Sequence, residues 1–134
     1  MDSPGLYTLA LVPLTTALAA SAGAQTAIVD LDGMTATTLE CSFAYGSGGT
    51  SCTVLVQTHF DGSTWRDIAR FDFTTASAVK HCNLEGLLSK AVTAYAALAS
   101  EGVYDGVLGD SLRAVVSSVG TYLSTTVAVR ASVR

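Results

Sequence analysis

The residues with chemical potential in this chain are few and scattered. Its two histidines are His59 and His81. A catalytic nucleophile needs a base within reach, and serines and threonines abound, yet no G-x-S-x-G elbow or comparable motif occurs. His59 adjoins a turn, where a solvent-facing imidazole needs no special role, and His81 alternates along a β-type run next to Cys82; both fit ordinary structural positions. The three cysteines, Cys41, Cys52 and Cys82, are odd in number and lack C-x-x-C spacing. That pattern argues against a zinc site and a disulfide framework and for small, buried, reduced thiols. Cys41 and Cys52 flank the Gly-rich run 46–49, where a hairpin would bring them close.

Paired carboxylates would serve a glycosidase. Asp61, Asp67 and Asp72 fall within one segment, but Asp61 suits a turn whose backbone it can bond. Asp67 and Asp72 are an odd number apart and face opposite sides of a strand unless a bulge intervenes. Asp30 and Asp32 project to one side, and Asp105 and Asp110 share a later loop. A calcium site needs about six to eight oxygen ligands, and this spacing matches no known calcium loop. No catalytic, cofactor or metal residues are expected.

Aromatics raise the last possibility. In VQTHFDGSTWRDIARF (56–71), the single tryptophan, Trp65, follows a turn. Trp65, Phe60 and Tyr45 could form a sugar-stacking platform. The simpler expectation is that Trp65, with Ile68 and Phe71, packs across its hairpin into the core.

The elements carrying these residues read as β. Residues 27–31 (AIVDL) suggest a short strand before the Asp32-Gly33 turn. In 35–45, Thr37, Leu39, Cys41, Phe43 and Tyr45 alternate with polar or small residues, the signature of a half-buried strand. After the loop at 46–50 come a β-branched run (52–60), the Asp61-Gly62 hairpin signal and a return strand (64–73). Trp65, Ile68, Phe71 and Phe73 break parity, which a bulge near Asp67 repairs. A short strand is expected at 78–84, and two more (111–119 and 121–134) meet at Gly120. Residues 86–109 allow either a short helix, from Leu87, Leu88, Ala91, Tyr95 and Leu98, or a long loop. These short strands without regular helices indicate an all-β antiparallel β-sandwich, jelly-roll-like in character. No fixed-period repeat is present.

With 134 residues and 49% hydrophobic content, the chain supports one core. Charged residues make up only 13%, about half the usual share, which favours a surface covered by partners. The net charge is −4, and the seven basic residues form no cluster; nucleic-acid binding needs a basic stripe. Arg113, Arg130 and Arg134 are expected on outer faces. The N-terminal stretch GLYTLALVPLTTALAASAGAQ resembles a secretory signal. However, no Lys or Arg precedes Arg66, and Pro13 interrupts an apolar run too short for a membrane span. Residues 1–25 are therefore expected to form an extended arm or edge strand (Leu6 to Val12) followed by a small-residue connection, with 26–134 as the sandwich.

Two runs, LDGMTATTLECSFAYGSGGTSCTVLVQTHFDGSTWRDIARFDF and GVLGDSLRAVVSSVGTYLSTTVAVRASVR, carry a resemblance. Their pattern of DL-x-GM, FAYGSGGT, VQT-x-x-DG-x-TW-x-DIA, GVLGD-x-LR and AVRA-x-x-R, over about residues 28–134, resembles small structural proteins of tailed bacteriophages and Gram-negative prophages. The Asp-Gly-x-Thr-Trp segment also looks a little like the sialidase Asp-box, a folding motif that adds no hydrolase argument. The resemblance implies a non-enzymatic virion protein, foremost a capsid decoration (cement) protein. Its partners would be the major capsid protein and copies of itself in a homo-oligomeric lattice, with neither nucleic acid nor membrane. A tail or head–tail connector component and a carbohydrate-binding adhesion module are the alternatives. Leu6, Tyr7, Leu9 and Leu11 of the arm are the candidate partner-binding residues.

Overall fold

The computed structural model describes residues 4–15 and 23–134; the expected small-residue connection falls largely outside them. The strands are β1 (Gly5–Leu14), β2 (Ala36–Ala44), β3 (Ser47–Gly48), β4 (Ser51–His59), β5 (Trp65–Phe73), β6 (Ala78–Glu85), β7 (Gly102–Val103), β8 (Arg113–Val119), β9 (Tyr122–Leu123) and β10 (Thr125–Val133). One four-stranded sheet has the order β1-β10-β2-β6, the second β7-β5-β4-β8, and β3 and β9 form a separate two-stranded ribbon. All the strand pairings are antiparallel. The fold is all-β, an antiparallel sandwich.

Alternation explains the core. Leu39, Cys41 and Phe43 of β2 meet Val54, Val56, Phe71 and Phe73 of the second sheet, all buried. The Phe43 and Phe73 rings stack at 4.9 Å between centroids across the sheets. Burying each such side chain contributes about 1.5–3 kcal/mol. Tyr122, fully buried, sets its ring edge-on to Phe43 and donates its hydroxyl to Thr74 O at 2.7 Å, closing one end of the sandwich.

Two bulges resolve broken parity. In β5 the register shifts so that Val56 faces Ala69 and Gln57 faces Asp67. The extra residue is Ile68, so Ile68 and Ala69 are both buried while Asp67 turns to the outer face. In β1 the shift lies between Thr8 and Ala10, and Leu9 and Ala10 both enter the core.

Of the two readings of the N-terminal segment, extended arm or edge strand, the edge strand holds over Gly5–Leu14, paired along its length with β10. Other expectations are corrected. Residues 27–31 form no strand. Asp30 has φ of 60° just before the Gly33 turn, a backbone state that interrupts extended chain. The segment instead borders β8 through isolated bridges, with Gln25 N–H donating to Ala114 O and Ile28 N–H to Leu112 O. The Gly-rich run 46–49 is not a hairpin; it crosses from β2 in one sheet to β4 in the other.

Residues 86–101 form no helix. A helix there would bury a stripe, but Leu87 and Val92 stand exposed, and the segment is held by side chains of the second sheet. Leu98 N–H donates to Asp67 Oδ2 at 3.1 Å, and Arg70 Nη1 donates to Leu98 O at 2.9 Å. The loop thus lies over the outer face of β5.

Candidate functional site

The outer face of the second sheet carries a connected set of polar groups. The pleat of β4 sends Gln57 and His59 outward, the β5 bulge adds Asp67, and Arg113 of β8 sits opposite Gln57. A chain of hydrogen bonds results. Arg113 Nε donates to Gln57 Oε1 at 2.8 Å, and Gln57 Nε2 donates to Asp67 Oδ1 at 2.8 Å. The Asp67 N–H donates to Tyr95 Oη at 2.9 Å. The Arg113 guanidinium lies 4.5 Å from the Trp65 ring centroid, and His59 meets that ring edge-on at 4.4 Å. Partial burial lowers the Arg113 pKa from its usual value. Trp65 is therefore not a core residue: it shares the outer face with Arg113 and His59. The tryptophan expected to pack inward instead forms a cation–π stack.

His59 is also corrected. It is buried rather than solvent-facing, and its Nδ1 stands 3.5 Å from Asp110 Oδ1 without a hydrogen bond. Asp110 in turn accepts the Ser111 hydroxyl at 3.2 Å. The histidine and the serine both address the carboxylate, so this order lacks the nucleophile–base contact of a hydrolytic triad.

Other carboxylates hold backbone or pair with a side chain. Asp61 Oδ1 accepts the Ser63 and Thr64 N–H groups at 3.0 and 2.7 Å. Those bonds hold its carboxyl well below the usual range. Asp72 accepts from Arg70 Nε at 2.9 Å, and Asp105 Oδ1 from Glu85 N–H at 2.9 Å. Among the described residues, no group of three or more His, Cys, Asp or Glu is placed to hold a metal ion.

All three cysteines are free thiols, with Cys41 and Cys52 buried and Cys82 half-buried. Burial, reinforced by its neighbour Cys52, pushes the Cys41 thiol up to about 12. Burial also raises Cys52 to about 12 and Cys82 to about 11. The postulated sugar platform is dispersed. Tyr45 stacks on Phe43, sets its ring edge-on to Tyr122 and donates to Gly48 O, whereas Phe60 and Trp65 lie by the hairpin at the far end of β4.

The candidate partner residues divide by face. Leu9 is buried, and Tyr7 packs against the core. Leu6 is 73% and Leu11 62% exposed, both on the outer face of the first sheet. Register extends that face across all four strands: Leu11, Ala128, Ser42 and Val79 form one row. The next row is Thr8, Arg130, Glu40 and His81, in which His81 Nε2 and Glu40 Oε2 lie 3.0 Å apart. Among the described residues, no further strand pairs with the outer edges of β1 and β6. Leu6, Leu11 and Val79, with β10 and β2 between them, form the candidate interaction surface. Val79 was not singled out from sequence, because its place beside Leu11 depends on long-range register.

Comparison with family models, with curated proteins and with solved structures finds no match to this chain.

Proposed function

We propose that this chain is a structural subunit of a tailed-phage particle, a decoration protein that seats the outer face of its first sheet on the major capsid protein shell. The carrying observation is that Leu6, Leu11 and Val79, each more than half exposed, share one sheet face that no other described strand covers, in a chain with only 13% charged residues. Burying exposed apolar area on such a face contributes about 25 cal/mol per Å² removed from water. The row Arg130–Glu40–His81 beside it supplies polar groups that would fix register at such a contact. Many copies on a symmetric shell multiply a modest individual affinity, and binding only the assembled shell stabilises it by mass action. The resemblance of residues 28–134 to small virion proteins supports the same reading.

The test is particle occupancy. Leu6→Asp/Leu11→Asp should fold as the parent does yet fail to decorate particles, while the parent occupies sites over the whole shell. Wild-type occupancy by the double variant, or density confined to one vertex, overturns the decoration reading. Density at one vertex would point to a connector or tail component.

A further inference from the structure

A cleft of about 320 Å³ opens between the β4–β5 hairpin and the loop following β6, with Phe60, Arg66, Lys90, Thr93, Tyr95 and Tyr104 around it. Its volume is at the small end for ligand sites. We propose that it binds an acidic sugar residue, a pyranose carrying a carboxylate.

The charge argument comes first. The guanidinium of Arg66 lies 4.8 Å from the Tyr95 ring centroid and the ammonium of Lys90 lies 6.0 Å from that of Tyr104. Neither cation is in an ion pair among the described residues. The carboxylate lining the cleft, Asp67, is buried and already accepts from Gln57 Nε2 and Leu98 N–H. Within a chain of net charge −4, this spot is locally positive, with these two cations against one carboxylate whose oxygens are already engaged.

Hydrogen-bonding capacity then selects the body of the ligand. Tyr95 Oη accepts the Asp67 N–H, which leaves its own O–H free to donate. Tyr104 Oη donates to Ala96 O at 2.7 Å, and Thr93 Oγ1 donates to Ala91 O at 3.0 Å; each keeps lone pairs free to accept. An aryl carboxylate would cover these groups without partnering them, which is unfavourable. A polyhydroxylated ring satisfies them while its C–H face rests on the exposed Phe60. The proposal is independent of the lattice reading, because the cleft lies on the second sheet's side of the molecule.

The test is an NMR titration of the full chain with glucuronate, glucose and benzoate. Glucuronate should shift amides of residues 90–96 and 104, and bind at least tenfold tighter than glucose or benzoate. Arg66→Gln/Lys90→Gln should weaken glucuronate at least tenfold, as expected for lost charge-assisted bonds, with an unchanged melting temperature. If that variant melts early, Lys90→Gln alone, on an exposed loop, should weaken glucuronate at least threefold. No glucuronate shifts at these residues, equal binding of glucose or benzoate, or undiminished binding by the folded variants overturns the proposal.

Discussion

The ammonium of Lys80 on β6 and the carboxylate of Glu101 beside β7 meet at 2.5 Å across the open side of the sandwich. Lys80 belongs to the first sheet and also donates to Asp72 O of the second at 2.6 Å. Glu101 Oε2 accepts the Asp72 N–H at 2.9 Å as well. Lys80 Nζ lies 4.9 Å from the Phe73 ring centroid. A small cluster thus ties β6 of the first sheet to β5 of the second.

This cluster has a pH signature. The Asp72 N–H and then the Lys80 ammonium hold the Glu101 carboxyl below its usual value. A depressed acid contributes stability above its unfolded pKa, about 4.3, and loses it as pH falls through the lower folded value. Because both side chains are partly exposed, at 35% and 44%, the contribution is about 0.5–1 kcal/mol. Glu101→Gln should therefore lower stability by that amount at neutral pH, and the gap should close below the ordinary carboxylate range. Urea melts of both proteins from pH 3 to 8 would show it; a gap that persists at pH 3 contradicts the assignment.

The two faces of β1 should separate folding from partner contact. Leu9, buried beside its bulge, should cost about 2–4 kcal/mol on substitution by alanine, since a cavity replaces a packed side chain. Leu6→Ala removes an exposed side chain and should change stability by less than about 0.5 kcal/mol. Thermal melts of the two variants decide the matter, and comparable destabilisation would mean that the strand does not sit as described.

Thiol chemistry offers a third check. With Cys41 and Cys52 pushed up to about 12, roughly one molecule in 10⁴ carries either thiolate at pH 8. The native protein should leave both unlabelled by a disulfide reagent over minutes, while the unfolded chain releases three thiols. Rapid native labelling of Cys41, mapped by mass spectrometry, would place it outside the core.

Much of the fold is legible because the pleat writes itself into the sequence. The alternation through Leu39, Cys41 and Phe43 marks the buried side of β2, and the parity break after Trp65 locates the bulge at Asp67–Ile68. What local pattern cannot carry is which sheet a strand joins. The Gly-rich run 46–49 reads equally as a hairpin or a crossing, and the choice depends on β2 pairing with β10, over 80 residues away. Trp65 misleads for a related reason: its outer-face neighbour Arg113 arrives from β8, so the sequence holds no local sign of the stack. Of the four residues expected at the partner surface, Leu6 and Leu11 lie on the outer face. The bulge that turns Leu9 inward hides in an apolar run whose parity is ambiguous.

Asp67 offers the most demanding prediction, because its two oxygens hold unlike partners. Oδ1 accepts from Gln57, which accepts from Arg113, and Oδ2 accepts the Leu98 N–H of the long loop. Replacing this buried carboxylate by alanine leaves both donors without that acceptor, at a cost of about 1–3 kcal/mol for such a group. Asp67→Asn keeps one carbonyl oxygen and should cost less. The loop should respond locally in both variants, with faster hydrogen exchange at the Leu98 amide than at amides in the centre of β4. Tyr95 lies on the same loop three residues before Leu98 and would loosen with it, although the Asp67 N–H that bonds its hydroxyl is kept, so glucuronate affinity at the adjoining cleft should fall even though neither cation is touched. Unchanged Leu98 exchange in Asp67→Ala would show that the loop is held by other contacts, and Arg70, which also reaches Leu98, would then be the anchor to test.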